Sequence, residues 1–481
     1  MKVAAGLREG RKFEAIATRS AQQGPRRFRP IRPMRESLFA TAATFGLALV
    51  MALTAGCKTH ERRLTTIREG FYSDNIPFAA VAIDEGLKRD RRDHDVLLLE
   101  RSMIELASGQ AQQSEQTLRQ VRDRFDHLEQ ASLGESALAM LTDDTRKSYA
   151  GADYEKVLIR AFLSLANLLG DGQDAAAYAL QVTDKQRQIV EAAGKDEDGK
   201  NPKLAYKQVA LGPYLHGMIR EETHANYDDA ARASAMVVSW QPDFAYGQAD
   251  LERARHGRHS AAGNGVLYVF ALVGRGPYKE ETLELPTTVS LLVADRILSA
   301  TNKYSLPPTI APVKVPKMVV PPNQVARVQV AVDQRVAGAT ATITDVGRMA
   351  VEQHEANYPR IIAEAVVRRV VKKGVVLGAK EALGANQATL TSLALDVAGV
   401  AWEATEAADT RCWGLLPDKI QALRLELPAG RHRIGLQPQG AYGAGGRVEP
   451  ATVTILDGRN TYVFANFPNG RLVGKIATNQ P

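Results

Sequence analysis

Apolar residues first run together at Leu38–Ala55, eighteen residues without a charge. A membrane-spanning helix needs roughly 20 such residues, so the run reads better as the apolar core of an export signal that ends in small residues at Cys57. Residues 61–258 then carry the periodicity of amphipathic helices, interrupted at Ser73-Asp74-Asn75, Ser108-Gly109, Gly170-Asp171-Gly172 and His224-Ala225-Asn226. One of these helices, "YEKVLIRAFLSLANLLG", is apolar on nearly every side from Val157 to Leu169, which predicts an interior position. From Gly263 the pattern changes. "GVLYVFALVGRG" (Gly265–Gly276) reads as a buried strand, six prolines between Pro307 and Pro322 as an extended connection, and "ARVQVAVDQ" from Ala326 as an alternating strand. Helix returns over 346–383, with Pro359 suited to a first helical turn, and again over 388–408. Residues 409–481 read as strands, with a tight hairpin at Leu427-Pro428-Ala429-Gly430.

The helical part contains an internal repeat. Ala79, Ile83 and Gly86 recur as Ser114, Leu118 and Val121, as Ala176, Leu180 and Thr183, and in "NYDDAARASAMVVSWQP" as Tyr227, Ala230, Val237 and Pro242. A small residue with a larger apolar one a turn later is the mark of tetratricopeptide-like helical hairpins, which stack because none can bury its apolar face alone. The expected fold class is therefore multidomain α+β. Residues 1–33 are an extension ahead of Met34, the expected initiator, and 34–57 a signal peptide whose ending "LTAGC" resembles the lipobox of bacterial lipoproteins. Residues 61–258 form a TPR-like helical solenoid whose core comes from its own hairpins. A β-rich segment with its proline-rich connection (262–345), an amphipathic helical hairpin (346–408) and a small C-terminal β-sandwich-like module (409–481) follow.

Charge changes the picture once the N-terminus is set aside. The chain holds 61 Lys and Arg against 54 Asp and Glu, but residues 1–33 hold nine basic and two acidic residues, and Arg35 and Glu36 cancel. Residues 58–481 thus carry 51 of each sign, and the pI of 9.2 belongs to the presequence. A neutral mature chain is a poor nucleic-acid binder. With Cys57 committed to another role, Cys412 has no disulfide partner, and an exported chain must then hold together by packing.

No motif points to an enzyme. GxSxG, HExxH, a P-loop and CxxC are all missing from the sequence. The "GKDEDGKNPK" loop lacks calcium-ligand spacing. His256 and His259 have no third ligand nearby in sequence and read as the polar end of the solenoid. Cys412 reads as a buried structural thiol. No cofactor, metal or catalytic residue is expected. Two stretches stand out. In "DTRCWGLLPDKI" Asp409 and Arg411 are placed to pair while Trp413 packs across a domain boundary, or else Trp413 and Arg411 anchor a partner. In "NYPRIIAEAVVRRVVKKGVVLGAKEAL" Ile362, Val366 and Val370 line one side, while Arg368, Arg369, Lys372, Lys373 and Lys380 gather on another. That basic face is either solvated or meets anionic head groups or an acidic partner, and Gly374 and Gly378 would admit a second helix.

The ending "LTAGC" resembles the lipobox of bacterial lipoproteins, with Ala55 and Gly56 before a cysteine that would be acylated, although Thr54 stands where leucine is usual. Farther on, "DDTRKSYAGADYEKVLIRAFLSLANLLGDGQDA", "YLHGMIREETHANYDDA", "ANYPRIIAEAVVRRVVKK" and "ADTRCWGLLPDKIQ", in that order over residues 140–430, resemble a family of uncharacterised bacterial lipoproteins with tetratricopeptide-like hairpins followed by mixed α/β segments. That resemblance supplies no catalytic residue. It implies an envelope location and a non-enzymatic, envelope-associated role. The expected protein is a periplasm-facing lipoprotein, held in the membrane through Cys57, whose solenoid binds envelope proteins as a scaffold in envelope assembly or maintenance. Lys58 after the cysteine, rather than aspartate, points to the outer membrane. The alternative is a periplasmic enzyme or transport-complex component with its site in 262–481. Acyl-chain labelling should place the native protein in the membrane fraction and disappear in Cys57→Ser; label that survives the substitution would overturn the anchor.

Overall fold

The computed structural model describes residues 63–89, 92–132, 148–193, 199, 201–300, 304–382, 407–443 and 445–479. The stretch expected to be an export signal, Cys57, residues 194–198 of the charged loop and the helix expected over 388–408, as far as residue 406, lie outside them. The architecture is mixed α+β, with helices mostly in the N-terminal half and strands in the C-terminal half.

Residues 63–72 are helical (α1). Then follow α2 (Ile76–Arg89), α3 (His94–Ala107), α4 (Ala111–Ser132), α5 (Asp153–Leu168), α6 (Ala175–Glu191), α7 (Leu211–Glu222), α8 (Tyr227–Trp240) and α9 (Gly247–Arg255). From α2 to α9 each helix packs on its successor. Each even helix buries a row at i, i+4 and i+7: Ala79, Ile83 and Gly86 in α2; Ser114, Leu118 and Val121 in α4; Ala175, Ala179 and Val182 in α6; Ala230, Ser234 and Val237 in α8. The third row starts one residue before the one read from sequence, and Leu180 is 47 % exposed. The Ala175-Ala176-Ala177 run gives no apolar contrast that would set the phase of that helix.

The odd helices differ. Every residue of α3 from Asp95 to Ala107 except Arg101 is buried, and every residue of α5 from Tyr154 to Leu168 except Lys156. Such helices are covered on two sides. One cover is the neighbouring even helices; the other comes from the C-terminal half of the chain, because the largest core joins these helices to Val266, Tyr268, Phe270, Leu272, Trp413, Leu415, Tyr462 and Phe464.

The strands are β1 (Asn264–Val273), β2 (Tyr278–Glu284), β3 (Val313–Val319), β4 (Arg327–Val332), β5 (Arg335–Ala339), β6 (Ala341–Asp345), β7 (Lys419–Pro428), β8 (Gly430–Gln439), β9 (Glu449–Ile455), β10 (Asn460–Phe467) and β11 (Ala477–Thr478). A five-stranded sheet has the order β11-β10-β1-β7-β6, with β1 parallel to β10 and antiparallel to β7. The second sheet, β5-β4-β8-β9, is antiparallel throughout. The continuous apolar run of β1 is explained by its place between two cores. Val266, Tyr268, Phe270 and Leu272 face the helices, while Leu267, Val269, Ala271 and Val273 meet Val328, Val330, Ile434, Leu436 and Val453 of the second sheet. The result is three layers: helices, a five-stranded sheet and a four-stranded sheet.

This layering corrects two expectations. Residues 409–481 supply strands to both sheets, and each sheet also takes strands from 264–345, so the sandwich is built by the two stretches together. Nor do β7 and β8 form a hairpin across Leu427–Gly430: β7 pairs with β1 and β6, and β8 with β4 and β9. The turn carries the chain from one sheet to the other, because the alternation of β7 matches both faces of the buried β1.

A third core joins α10 (Thr288–Ser299), β3 and the second half of α11, with Ala294, Leu298, Val313, Val315, Ile362 and Val366 at its centre. The helix α11 spans Val346–Ala382, so Pro359 lies inside it rather than in its first turn. Its start is set at Asp345, whose Oδ1 accepts from the Arg348 amide at 3.0 Å. A Cβ at Gly374 would fall on the Tyr304 ring, so that glycine makes room for a tyrosine. No helix among the described residues is long and apolar enough to cross a membrane.

Because the helices share their core with the sheet, residues 61–258 expressed alone should bind a hydrophobic dye and lose the cooperative melting of the full chain. A fragment that stays dye-free and melts as sharply as the full chain would show that the hairpins suffice.

Candidate functional site

The inner helices carry two glutamates, Glu100 midway along α3 in "DVLLLERSMIEL" and Glu155 in the first turn of α5 in "DYEKVLIRAF", and both are 0 % exposed. A buried carboxylate is costly unless it collects donors. Here the donors belong largely to the chain itself, at residues 411–415, laid across α1, α3 and α5. Glu100 Oε2 accepts from the Leu415 amide at 2.8 Å, and Oε1 from the Gly414 amide at 3.1 Å and from Arg68 Nε at 2.7 Å. Glu155 Oε1 accepts from the Trp413 amide at 2.7 Å. Its Oε2 caps α5 by accepting from the Ala152 amide at 2.9 Å, and it also takes the Tyr149 hydroxyl. The carbonyls of the segment are held too. Arg68 Nη2 donates to Cys412 O, and the Tyr72 hydroxyl to Gly414 O, each at 2.9 Å. Three inner helices thus read a peptide backbone, amides and carbonyls alike, through side chains.

Electrostatics follow from this burial. Loss of solvent pushes the Glu100 carboxyl up, and the Arg68 charge beside it works in the opposite direction. Burial also raises the Cys412 thiol, partly offset by Arg68, whose Nη2 stands 3.9 Å from Sγ. A thiol kept protonated and out of water is a poor nucleophile. Gly414 is required for close approach, since a Cβ there would fall on the Arg68 guanidinium.

The sequence-predicted residues divide between two places. Arg411 grips Asp409 in a bidentate pair at 2.8 and 2.7 Å. Burial alone would lift the Asp409 carboxyl, but Arg411 outweighs it and holds the group below the usual carboxylate value. The Arg411 guanidinium also lies over the Tyr149 ring, 5.4 Å from its centre. Trp413 is wholly buried and tilts against Phe162 with ring centres 5.4 Å apart, so the surface it engages is this chain's own α5. Arg368, Arg369, Lys372 and Lys373 lie elsewhere, on the half of α11 that packs in the third core. Arg369 Nη1 donates to Ala311 O at 3.1 Å and Pro312 O at 2.6 Å, pinning the proline-rich connection. His259 gives one ring nitrogen to Asn460 Oδ1 at 2.8 Å, whereas His256 turns to its own helix, with Nδ1 2.6 Å from Glu252 O.

Arg68, Glu100 and Glu155 escape a reading based on apolar periodicity, which treats α3 and α5 simply as interior helices. The signal is present all the same: a carboxylate on a helix that reads as interior must have a partner. No family of known proteins, no curated protein and no solved structure matches the chain.

Glu155→Gln, which keeps the shape but not the charge, should lower the unfolding free energy by about 1–3 kcal/mol, and Trp413→Ala by about 3–5 kcal/mol. Urea denaturation of the full chain checks both. An unchanged midpoint in Trp413→Ala would show that the segment is not part of the core.

Proposed function

We propose that this protein is a periplasm-facing envelope lipoprotein, acylated at Cys57, whose TPR-like stack of helices serves as a protein-interaction scaffold in envelope assembly or maintenance. The observation that carries this reading is the capture of residues 411–415. The inner helices hold the backbone of a turn-forming segment through Glu100, Glu155, Arg68 and Tyr72, and holding a peptide on one face is what stacked helical repeats commonly do. The lipobox-like "LTAGC" and the neutral balance of residues 58–481 support the anchored, non-nucleic-acid side of the proposal.

With the inner face occupied by its own chain, the outer faces are left for a partner. Phe78 and Val81 on α2 and Leu180 on α6 are exposed large apolar residues on even helices. An outer-membrane site, and contact of the basic side of α11 with anionic head groups, belong to the same proposal; each basic residue near an anionic surface contributes about 1 kcal/mol.

Photo-crosslinking side chains placed singly at Phe78, Val81 and Leu180 should give discrete envelope-protein adducts in intact cells, lost when the protein is denatured before irradiation. A full set of positions without adducts would overturn the scaffold role. Recovery of the protein away from the membrane fraction would overturn the anchored placement.

A further inference from the structure

Away from the captured segment, the helix–sheet interface becomes polar. Tyr214 and Glu221 of α7, Asp250 and Arg253 of α9, Tyr268 of β1 and Arg424 of β7 meet there. Tyr268 and Arg424 are register partners on adjacent strands. The Tyr214 ring stands edge-on to Tyr268 at 6.3 Å between centres. Arg253 ties the two acids together, reaching Glu221 with two bonds of 3.1 Å and Asp250 Oδ1 at 2.7 Å. Arg424 donates through Nη2 to the His259 carbonyl.

Four buried polar atoms in this seam have no hydrogen-bond partner among the described residues: Tyr214 Oη, Tyr268 Oη, Asp250 Oδ2 and Arg424 Nε. The first three belong to side chains of residues only 6, 1 and 7 % exposed. A buried polar atom left without a partner is costly, and four in one seam call for a guest that satisfies them. Their chemistry selects that guest. The carboxylate oxygen accepts only and the guanidinium Nε donates only. Burial pushes both tyrosine hydroxyls well up, so they stay protonated and can both donate and accept. Two carboxylates and two guanidiniums cancel in charge. An anion would have to face Asp250, and a cation would have to face Arg424 and Arg253. Only a small neutral molecule that donates and accepts suits all four atoms.

We infer that the seam between α7, α9, β1 and β7 is a water-binding site, in which ordered water bridges Tyr214, Tyr268, Asp250 and Arg424 as a fixed part of the fold. A buried water typically makes about three such bonds, so one or two waters answer the four orphans. This end of the interface is then held by hydrated polar matching, whereas the end at Trp413 is held by apolar packing and by backbone capture.

A high-resolution crystal structure of the full chain should show water at about 2.7–3.2 Å from Tyr268 Oη and from Asp250 Oδ2 or Arg424 Nε. In solution, oxygen-17 relaxation dispersion should register at least one long-lived internal water that is lost in the Tyr214→Phe/Tyr268→Phe variant, which keeps both rings and hence the packing. Direct bonds among the four groups with no density between them would overturn the inference. So would an ion in the seam, or a long-lived water signal unchanged in the double variant.

Discussion

The capture of the Trp413, Gly414 and Leu415 amides by Glu155 and Glu100 is the interaction on which the rest of the structure depends. It satisfies two carboxylates that could not otherwise lie inside apolar helices, and it fixes the C-terminal half against the N-terminal half. Consequences spread along the chain from that point. Three residues after Leu415, Asp418 O accepts from the Val346 and Gly347 amides at 2.8 and 3.0 Å, where α11 begins. The Asp418 amide donates to Gly274 O at 3.3 Å, at the end of β1, and β7 starts at the next residue. One short stretch therefore positions the inner helices, the central strand, the long helix and the neighbouring strand relative to one another.

The second constraint is the double burial of β1 and β10. In parallel register Tyr268 lies beside Tyr462 and Phe270 beside Phe464, facing the helices, while Val269 lies beside Val463 and Ala271 beside Ala465, facing the second sheet. A one-residue slip would exchange these two sets, putting aromatic rings into the space shaped for valine and alanine. The same alternation in β7 explains why that strand joins β1 rather than folding back on β8.

For the proposed scaffold role, the cis-held segment shifts attention from the inner to the outer helical faces. The inner face already has an occupant whose backbone amides and carbonyls are held by side chains and which, at Trp413, is fully buried. Whatever the helices offer to another protein then comes from the even helices and from the edges of the stack, where apolar residues such as Phe78 and Val81 remain in solvent.

By itself the sequence located the local elements: an interior helix read at 157–169 and found at 153–168, a buried strand read at 265–276 and found at 264–273, and an alternating strand read from 326 and found from 327. It also offered the Asp409–Arg411 pair, whose partners lie two residues apart, as one of two readings of that stretch. These depend on period, propensity and short spacing, all of which are local. The phase of α6 was not legible, because its alanine run carries no contrast. Only the tertiary structure decided which strands pair, since the edge that β7 joins was made some 150 residues earlier in the chain, in β1. It also decided what Glu100 and Glu155 bind. Their demand for donors is written in the sequence, but the amides that meet it lie 258 and 314 residues away, and long-range closure of that kind leaves no periodic trace.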